Sequence, residues 1–305
     1  MQGSANLWRD IAVLRGLEQR RPEGGRLVDD PVSLRLLPAA SRGLIRVLQS
    51  TGLADAILRR RERQLPGVIG SLLCRTRYMD DVLRESLEDG VRQVAILGAG
   101  FDTRAYRVPG LEGVEVFEVD HPAVQDSKRK ALERASIALP SNVTLVGVDF
   151  DHDDLGDVLA EAGFRPGVRT LFIWEGVTQY ISRDAIADTL AWVATVAAPG
   201  SRLVFSYVRE DVISGVRASA AERKVMARAE GGGAPWRTGF DPAGMSVLLE
   251  RHGLEMVEEL GGEDYRKRYL EPAGRDLATL RAERVVLAQL PVGDSGSTTE
   301  REGRS

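Results

Sequence analysis

At 305 residues the chain can bury one large core or two small ones. A formal net charge of −4 and a pI of about 5.6 leave no basic field to hold nucleic acid. The single cysteine, Cys74, excludes an internal disulfide and a cysteine-built zinc site, and no run approaches the roughly 18 apolar residues of a membrane span.

Met1 to Asn6 shows no basic segment followed by an apolar one. A soluble cytoplasmic protein is expected, with neither membrane nor nucleic acid as partner. Residues 7 to 90 read as helices separated by Pro and Gly, at Leu7–Arg20, Ser33–Leu36, Leu44–Arg63 and Val68–Glu88. In the last, Leu72, Leu73, Met79, Val82, Leu83 and Leu87 recur at helical spacing and define a buried face. Arg59, Arg60, Arg61 and Arg63 are interrupted by Glu62 and read as a solvated helix end. Arg75 and Arg77 lie on a helix that leads directly towards a glycine turn.

That turn organises the chain. Val94 to Leu97 is a short apolar run ending at Gly98-Ala99-Gly100, which suits a strand buried on both faces of a parallel sheet. The glycines let backbone N–H groups approach a ligand closely. A second apolar run ends in Asp120, about 20 residues on, the offset at which an acid accepts hydrogen bonds from ribose hydroxyls. A dinucleotide fingerprint wants a third glycine, and Thr103 stands there instead. The looser G-x-G followed by Asp102 is that of S-adenosylmethionine-binding methyltransferases. A dehydrogenase is correspondingly disfavoured.

Beyond residue 91 strand and helix alternate, which predicts a parallel sheet covered on both sides. Strands are expected near 92–98, 114–120, 142–148, 168–174 and 201–207, with helices near 103–107, 121–137, 153–163 and 183–198. A helical segment over 209–230 leads to Gly231-Gly232-Gly233 and Trp236-Arg237, read as a hinged flap. A helix near 241–252 and strands near 254–260 and 283–290 complete the sheet, with an antiparallel edge strand in the last pair. The segment Gly293–Ser305 reads as disordered.

Ligands of open α/β sheets bind beyond the carboxyl ends of the strands. There the chain places Gly98 and Gly100, then Asp120, then Asp149-Phe150, then Glu175-Gly176. Asp149 and Phe150 offer an acceptor and an apolar wall to adenine. Glu175 suits the methionine amino group and Arg75 its carboxylate.

These segments together resemble the leucine carboxyl methyltransferase family, and in particular its bacterial S-adenosylmethionine-dependent O-methyltransferases. The resemblance spans nearly the whole chain. It rests on Arg15-Gly16-Leu17-Glu18 with Asp29-Asp30-Pro31, on Cys74-Arg75-Thr76-Arg77-Tyr78-Met79-Asp80, and on Leu97 through Arg107. Phe117-Glu118-Val119-Asp120-His121-Pro122, Val148-Asp149-Phe150, and Glu175-Gly176 with Tyr180-Ile181 also match. The fold it implies is α/β, a Rossmann-like class I methyltransferase with a seven-stranded, mostly parallel sheet. An N-terminal helical cap over 1–90 would precede a core over 91–290, with a lid at about 208–240 and a tail over 291–305. The resemblance implies S-adenosyl-L-methionine as cofactor, held by Arg75, Gly98, Gly100, Asp120, His121, Asp149, Phe150 and Glu175. Trp174 and Thr178-Gln179 depart from the family pattern and are expected beside the methyl-transfer site.

Methyl transfer from a sulfonium is an in-line displacement that asks the protein for alignment and a dry site. A carboxylate acceptor is ionised at neutral pH, whereas a hydroxyl usually needs a base. The three histidines, His121, His152 and His252, are not expected at the acceptor, which favours carboxyl methylation. Acceptor-side candidates are Tyr180, Tyr207, Trp236 and Arg237. Similar bacterial proteins methylate carboxyl groups of aromatic polyketides, so the expected partner is a small natural product. A protein carboxyl terminus comes second, and a non-enzymatic cofactor-binding protein third.

Overall fold

A computed structural model describes residues 11–51 and 53–292. The helix expected over 7–20 is therefore described only in part, as α1 at residues 11–18, and the segment 293–305 lies outside the described residues. The other helices of the first 90 residues are α2 (Ser33–Leu36), α3 (Ala39–Ser50), α4 (Leu53–Gln64) and α5 (Val68–Glu88). The single helix expected over 44–63 is thus two. Both the N–H and the hydroxyl of Thr51 turn back onto the Val47 carbonyl, closing α3.

Seven strands follow: β1 (Gln93–Leu97), β2 (Glu115–Asp120), β3 (Val143–Gly147), β4 (Thr170–Trp174), β5 (Arg202–Val208), β6 (Glu255–Leu260) and β7 (Glu283–Gln289). They form one sheet in the order β3-β2-β1-β4-β5-β7-β6, parallel from β3 to β5. The antiparallel pairing falls at the far edge as expected, with β7 inserted between β5 and β6. The connecting helices are α6 (Arg104–Arg107), α7 (Pro122–Arg134), α8 (Leu155–Glu161), α9 (Arg183–Val196), α10 (Glu210–Ile213), α11 (Ala220–Gly231), α12 (Met245–Arg251) and α13 (Gly262–Tyr265). The helix expected over 209–230 is split into α10 and α11 by an irregular stretch in which Gly215 takes φ +78°. No helix among the described residues is long and apolar enough to cross a membrane.

The pleat sorts each strand onto two cores. Leu171 and Ile173 of β4 and Val204 of β5 face one side, where α5 packs Leu73, Cys74, Met79, Val82 and Leu83 on them. Phe172, Trp174, Phe205 and Tyr207 face the other, against Leu159 of α8, Leu190 of α9 and Leu249 of α12. Each wholly buried aliphatic side chain contributes about 1.5–3 kcal/mol. Because α5, with Leu14 of α1, shares a core with the sheet, the boundary expected at residue 90 is not a break in the hydrophobic core. Burial in that core pushes the Cys74 thiol up to about 12, which keeps it protonated and inert.

Candidate active site

The parallel registers bring the carboxyl ends of β1, β2 and β4 level: Leu97 pairs with Val119, and Ile96 with Ile173. A cavity of about 620 Å³ opens at that edge. Its lining contains all eight residues expected at the cofactor: Arg75, Gly98, Gly100, Asp120, His121, Asp149, Phe150 and Glu175. The lining also contains Ile11, Ala12, Phe101, Val177, Tyr180 and Ile181.

The glycine turn is built for close approach. Gly98 has φ +67°, and a Cβ there would meet Val177 Cγ2 at 2.2 Å. Gly100, at φ +46°, donates its N–H to Asp120 Oδ2 at 2.6 Å. The other oxygen, Oδ1, accepts the His121 N–H at 2.7 Å. Two backbone donors fix the carboxylate, and each oxygen keeps a lone pair for a hydroxyl. Burial pushes the Asp120 carboxyl up, against the pull of those two hydrogen bonds. His121 caps α7, its Nδ1 accepting the Ala123 N–H at 3.2 Å. Its Nε2 lies 3.9 Å from Asp149 Oδ2. Phe150 stacks on Trp174 with ring centroids 6.3 Å apart.

Glu175 is the hub of the charged end. Its Oε1 accepts from Thr76 Oγ1 at 3.0 Å, Arg75 Nε at 3.1 Å and Arg15 Nη2 at 3.3 Å. Its Oε2 accepts from Arg104 Nη2 alone, at 2.7 Å. Burial would raise this carboxyl, but the guanidiniums of Arg104, Arg15 and Arg75 outweigh it and hold Glu175 well below the carboxylate range. Arg104 is itself fully buried and also pairs with Asp102 and Asp80. Arg107 bonds Asp80 from the next turn and accompanies Thr103, whose hydroxyl donates to Asp30 at 2.7 Å. The whole motif from Asp102 to Arg107 therefore clamps the first 90 residues to the sheet edge.

Several expectations need correction. The guanidinium of Arg75, expected at the cofactor carboxylate, is already largely committed, Nε to Glu175 and Nη1 to Glu283. Only its Nη2 stays open, beside Gly176, where a Cβ would stand 3.3 Å away. Tyr207 is fully buried and its hydroxyl bonds Glu259, because the pleat puts it on the face of Phe205. Trp236 packs with Val208, Val212, Ala218 and Ala282 in a small cluster of its own and does not line the cavity. Arg237 likewise lies outside it, pairing with Asp151 at 3.2 Å. Tyr180 alone of the four acceptor-side candidates reaches the cavity. Trp174 is wholly buried beneath Phe150, and Thr178 and Gln179 turn inward to the Ser206 and Gly176 carbonyls, so none of the departures borders the site.

Arg15 was not assigned a role from sequence. It lines the cavity, is 6% exposed, and its Nε is buried without a partner among the described residues. The only sequence signal was its place in the amino-terminal motif. An orphaned donor here, the open Nη2 of Arg75 and the open lone pair of Glu175 Oε2 fit the carboxylate and ammonium of a methionine moiety.

A model of the leucine carboxyl methyltransferase family matches residues 10–194, from α1 through α9. The chain belongs to this family. Relatives share its length only in part. A Bacillus subtilis protein named for S-adenosyl-L-methionine-dependent methyl transfer is 34% identical over 193 residues, which span 63% of this chain and 63% of that one. A Streptomyces coelicolor protein named in the same way is 35% identical over 210 residues, 69% of this chain and 71% of its own. A crystal structure of a Thermobifida fusca protein assigned to the methyltransferases shares the fold, with a TM-score of 0.53 at 16% identity over 78% of this chain and 88% of that one. Family and fold make S-adenosyl-L-methionine the cofactor.

Proposed function

We propose that the chain transfers a methyl group from S-adenosyl-L-methionine to an oxygen of a small apolar acceptor, a carboxylate before a hydroxyl. The observation that carries this reading is the apolar and base-poor lining of the cavity. Ile11, Ala12, Phe101, Val177 and Ile181 line it with Tyr180, and His121, the one imidazole in the lining, faces Asp149. Of the lining acids not given to the cofactor, Asp102 pairs with Arg104 and Asp151 with Arg237, which suits an acceptor that is already ionised.

When bound, the cofactor supplies an electrophilic methyl on a sulfonium sulfur. Asp120 would accept the ribose hydroxyls, and Phe150 with Asp149 would border the adenine. Glu175 Oε2 would accept from the ammonium, while Arg75 Nη2 and Arg15 Nε would hold the carboxylate. The apolar walls exclude water and hold the acceptor oxygen in line.

Incubation with labelled cofactor and a panel of apolar carboxylic acids, phenols and peptides, read by mass spectrometry, tests the proposal. Methyl esters of the acids are expected. Label confined to phenols or to peptide carboxyl termini would overturn the acceptor class, and cofactor binding without any transfer would overturn the activity.

A further inference from the structure

A second cavity, of about 570 Å³, lies between α1, α4, the start of α5 and the segment 274–277. It shares no lining residue with the first. Its floor is hydrocarbon: Leu14, Ile69 and Leu73 are buried, and Leu58 and Leu277 are half-buried against them. A space of that volume takes a ligand of ordinary metabolite size.

Its charged groups divide into spent and open ones, and the open ones include a carboxylate, Asp276, exposed and without an ion-pair partner among the described residues. Arg275 is spent, giving Nη1 and Nη2 to Glu18 at 2.7 and 2.9 Å. Glu18, so satisfied, leaves Arg21 at 3.5 Å. Arg59 and Arg63, exposed on α4, have no ion-pair partner among the described residues. Glu62 pins α4 to the body, its Oε1 accepting the N–H groups of Gly67 at 3.0 Å and Ala278 at 3.3 Å. Its Oε2 is buried with no donor among the described residues. The hairpin of α3 and α4 carries six arginines against Asp55 and Glu62, in a chain whose net charge is −4. An anion is therefore drawn to this side of an acidic protein.

We infer that this cavity is a second binding site, for an amphipathic phosphate monoester. The apolar floor takes an acyl or alkyl tail, and Arg59 and Arg63 take the anionic head. The unmatched Glu62 oxygen asks for a hydroxyl donor beside that charge. A phosphate monoester supplies both at once when singly protonated, since its second pKa is about 6. A carboxylate supplies only the charge, and an alcohol only the donor. The site stands apart from the methyl-transfer reading, because none of these residues touches the first cavity.

Calorimetric titration of the full chain with dodecyl phosphate at slightly acid pH, below its micelle concentration, tests the assignment. It is run with and without saturating S-adenosylhomocysteine. Saturable binding is expected in both conditions. Arg59→Glu combined with Arg63→Glu should weaken it about tenfold, while Arg60→Glu, which alters the field of the hairpin but does not line the cavity, should weaken it far less. Dodecanoate should bind more weakly and dodecanol more weakly still. Unaltered melting temperatures would show that the exposed substitutions preserve the fold. Dodecanol binding as well as dodecyl phosphate, indifference to the charge reversal, or competition by S-adenosylhomocysteine would each overturn the proposal.

Discussion

Within the lining of the first cavity Glu175 meets three guanidiniums and a hydroxyl, whereas Ile11, Phe101, Val177 and Ile181 offer little but hydrocarbon. The two parts of the lining are held by different physics. A buried charge needs its partner at one distance and angle, so few substitutions survive there. An apolar wall needs only volume and shape, and many residues supply those. Both parts are built from the same segments, Ile11 on the helix of Arg15, Phe101 just before Arg104 and Val177 just after Glu175, so what differs is how strictly the residue type is fixed at each position.

The comparison breaks first at Arg104. Arg104→Met would leave Asp80, Asp102 and Glu175 without their common buried partner. A loss of about 3–5 kcal/mol is expected in urea unfolding. A change under about 1 kcal/mol, the range of an exposed pair, would mean that the network is not held by charge.

Glu175 sharpens the same point through pH. Its folded pKa is depressed, so its contribution to stability is present above the unfolded value of about 4.3 and is lost as pH falls through the folded value. Glu175→Gln should therefore flatten the acid limb of a stability–pH curve below about pH 4.3, relative to the parent. Parallel limbs would remove Glu175 from the linkage.

Asp120→Ala should weaken S-adenosylhomocysteine by about 1.5–3 kcal/mol in calorimetry, with only a small change in melting temperature. Since burial raises the Asp120 pKa, the parent's affinity should also decline as acid protonates it, and the variant should lose that decline. Equal affinities would remove the ribose assignment.

A smaller effect, about tenfold in affinity or 1.4 kcal/mol, is expected of Arg75→Lys, because an ammonium cannot bridge Glu175, Glu283 and a ligand together. Arg77→Lys should change nothing measurable, its side chain being 41% exposed on Asp81. The reverse order would put the wrong arginine in the cavity.

Trp236→Ala is the mildest. Its side chain packs against Val208, Val212, Ala218 and Ala282, so the melting temperature should drop by the equivalent of about 1 kcal/mol while the KM for the acceptor stays unchanged. A raised KM at full stability would return Trp236 to the acceptor side.

Much of this architecture was legible from residue order alone. Apolar runs of strand length ending in Gly98, Asp120 and Glu175 located the sheet edge, because parallel strands buried on both faces need continuous hydrophobic sequence. The glycine positions followed from backbone geometry that a Cβ would obstruct, as the 2.2 Å approach to Val177 shows at Gly98. Periodicity also located α5, but not its role as a wall of the sheet's own core, since an amphipathic helix does not state which surface it covers.

What the sequence by itself determined was the set of strand ends and the acids and glycines they carry, since short-range covalent spacing places them. Tertiary structure decided the rest. Whether Tyr207 met ligand or core depended on which face of the sheet the pleat gave it, and whether Trp236 reached the cavity depended on where its loop packed. Arg15 entered the site only because α1 comes to lie against residues 61 and 160 positions further along the chain, at Thr76 and Glu175. Contacts over such separations are chosen by the packing of the whole chain, and no local pattern encodes them.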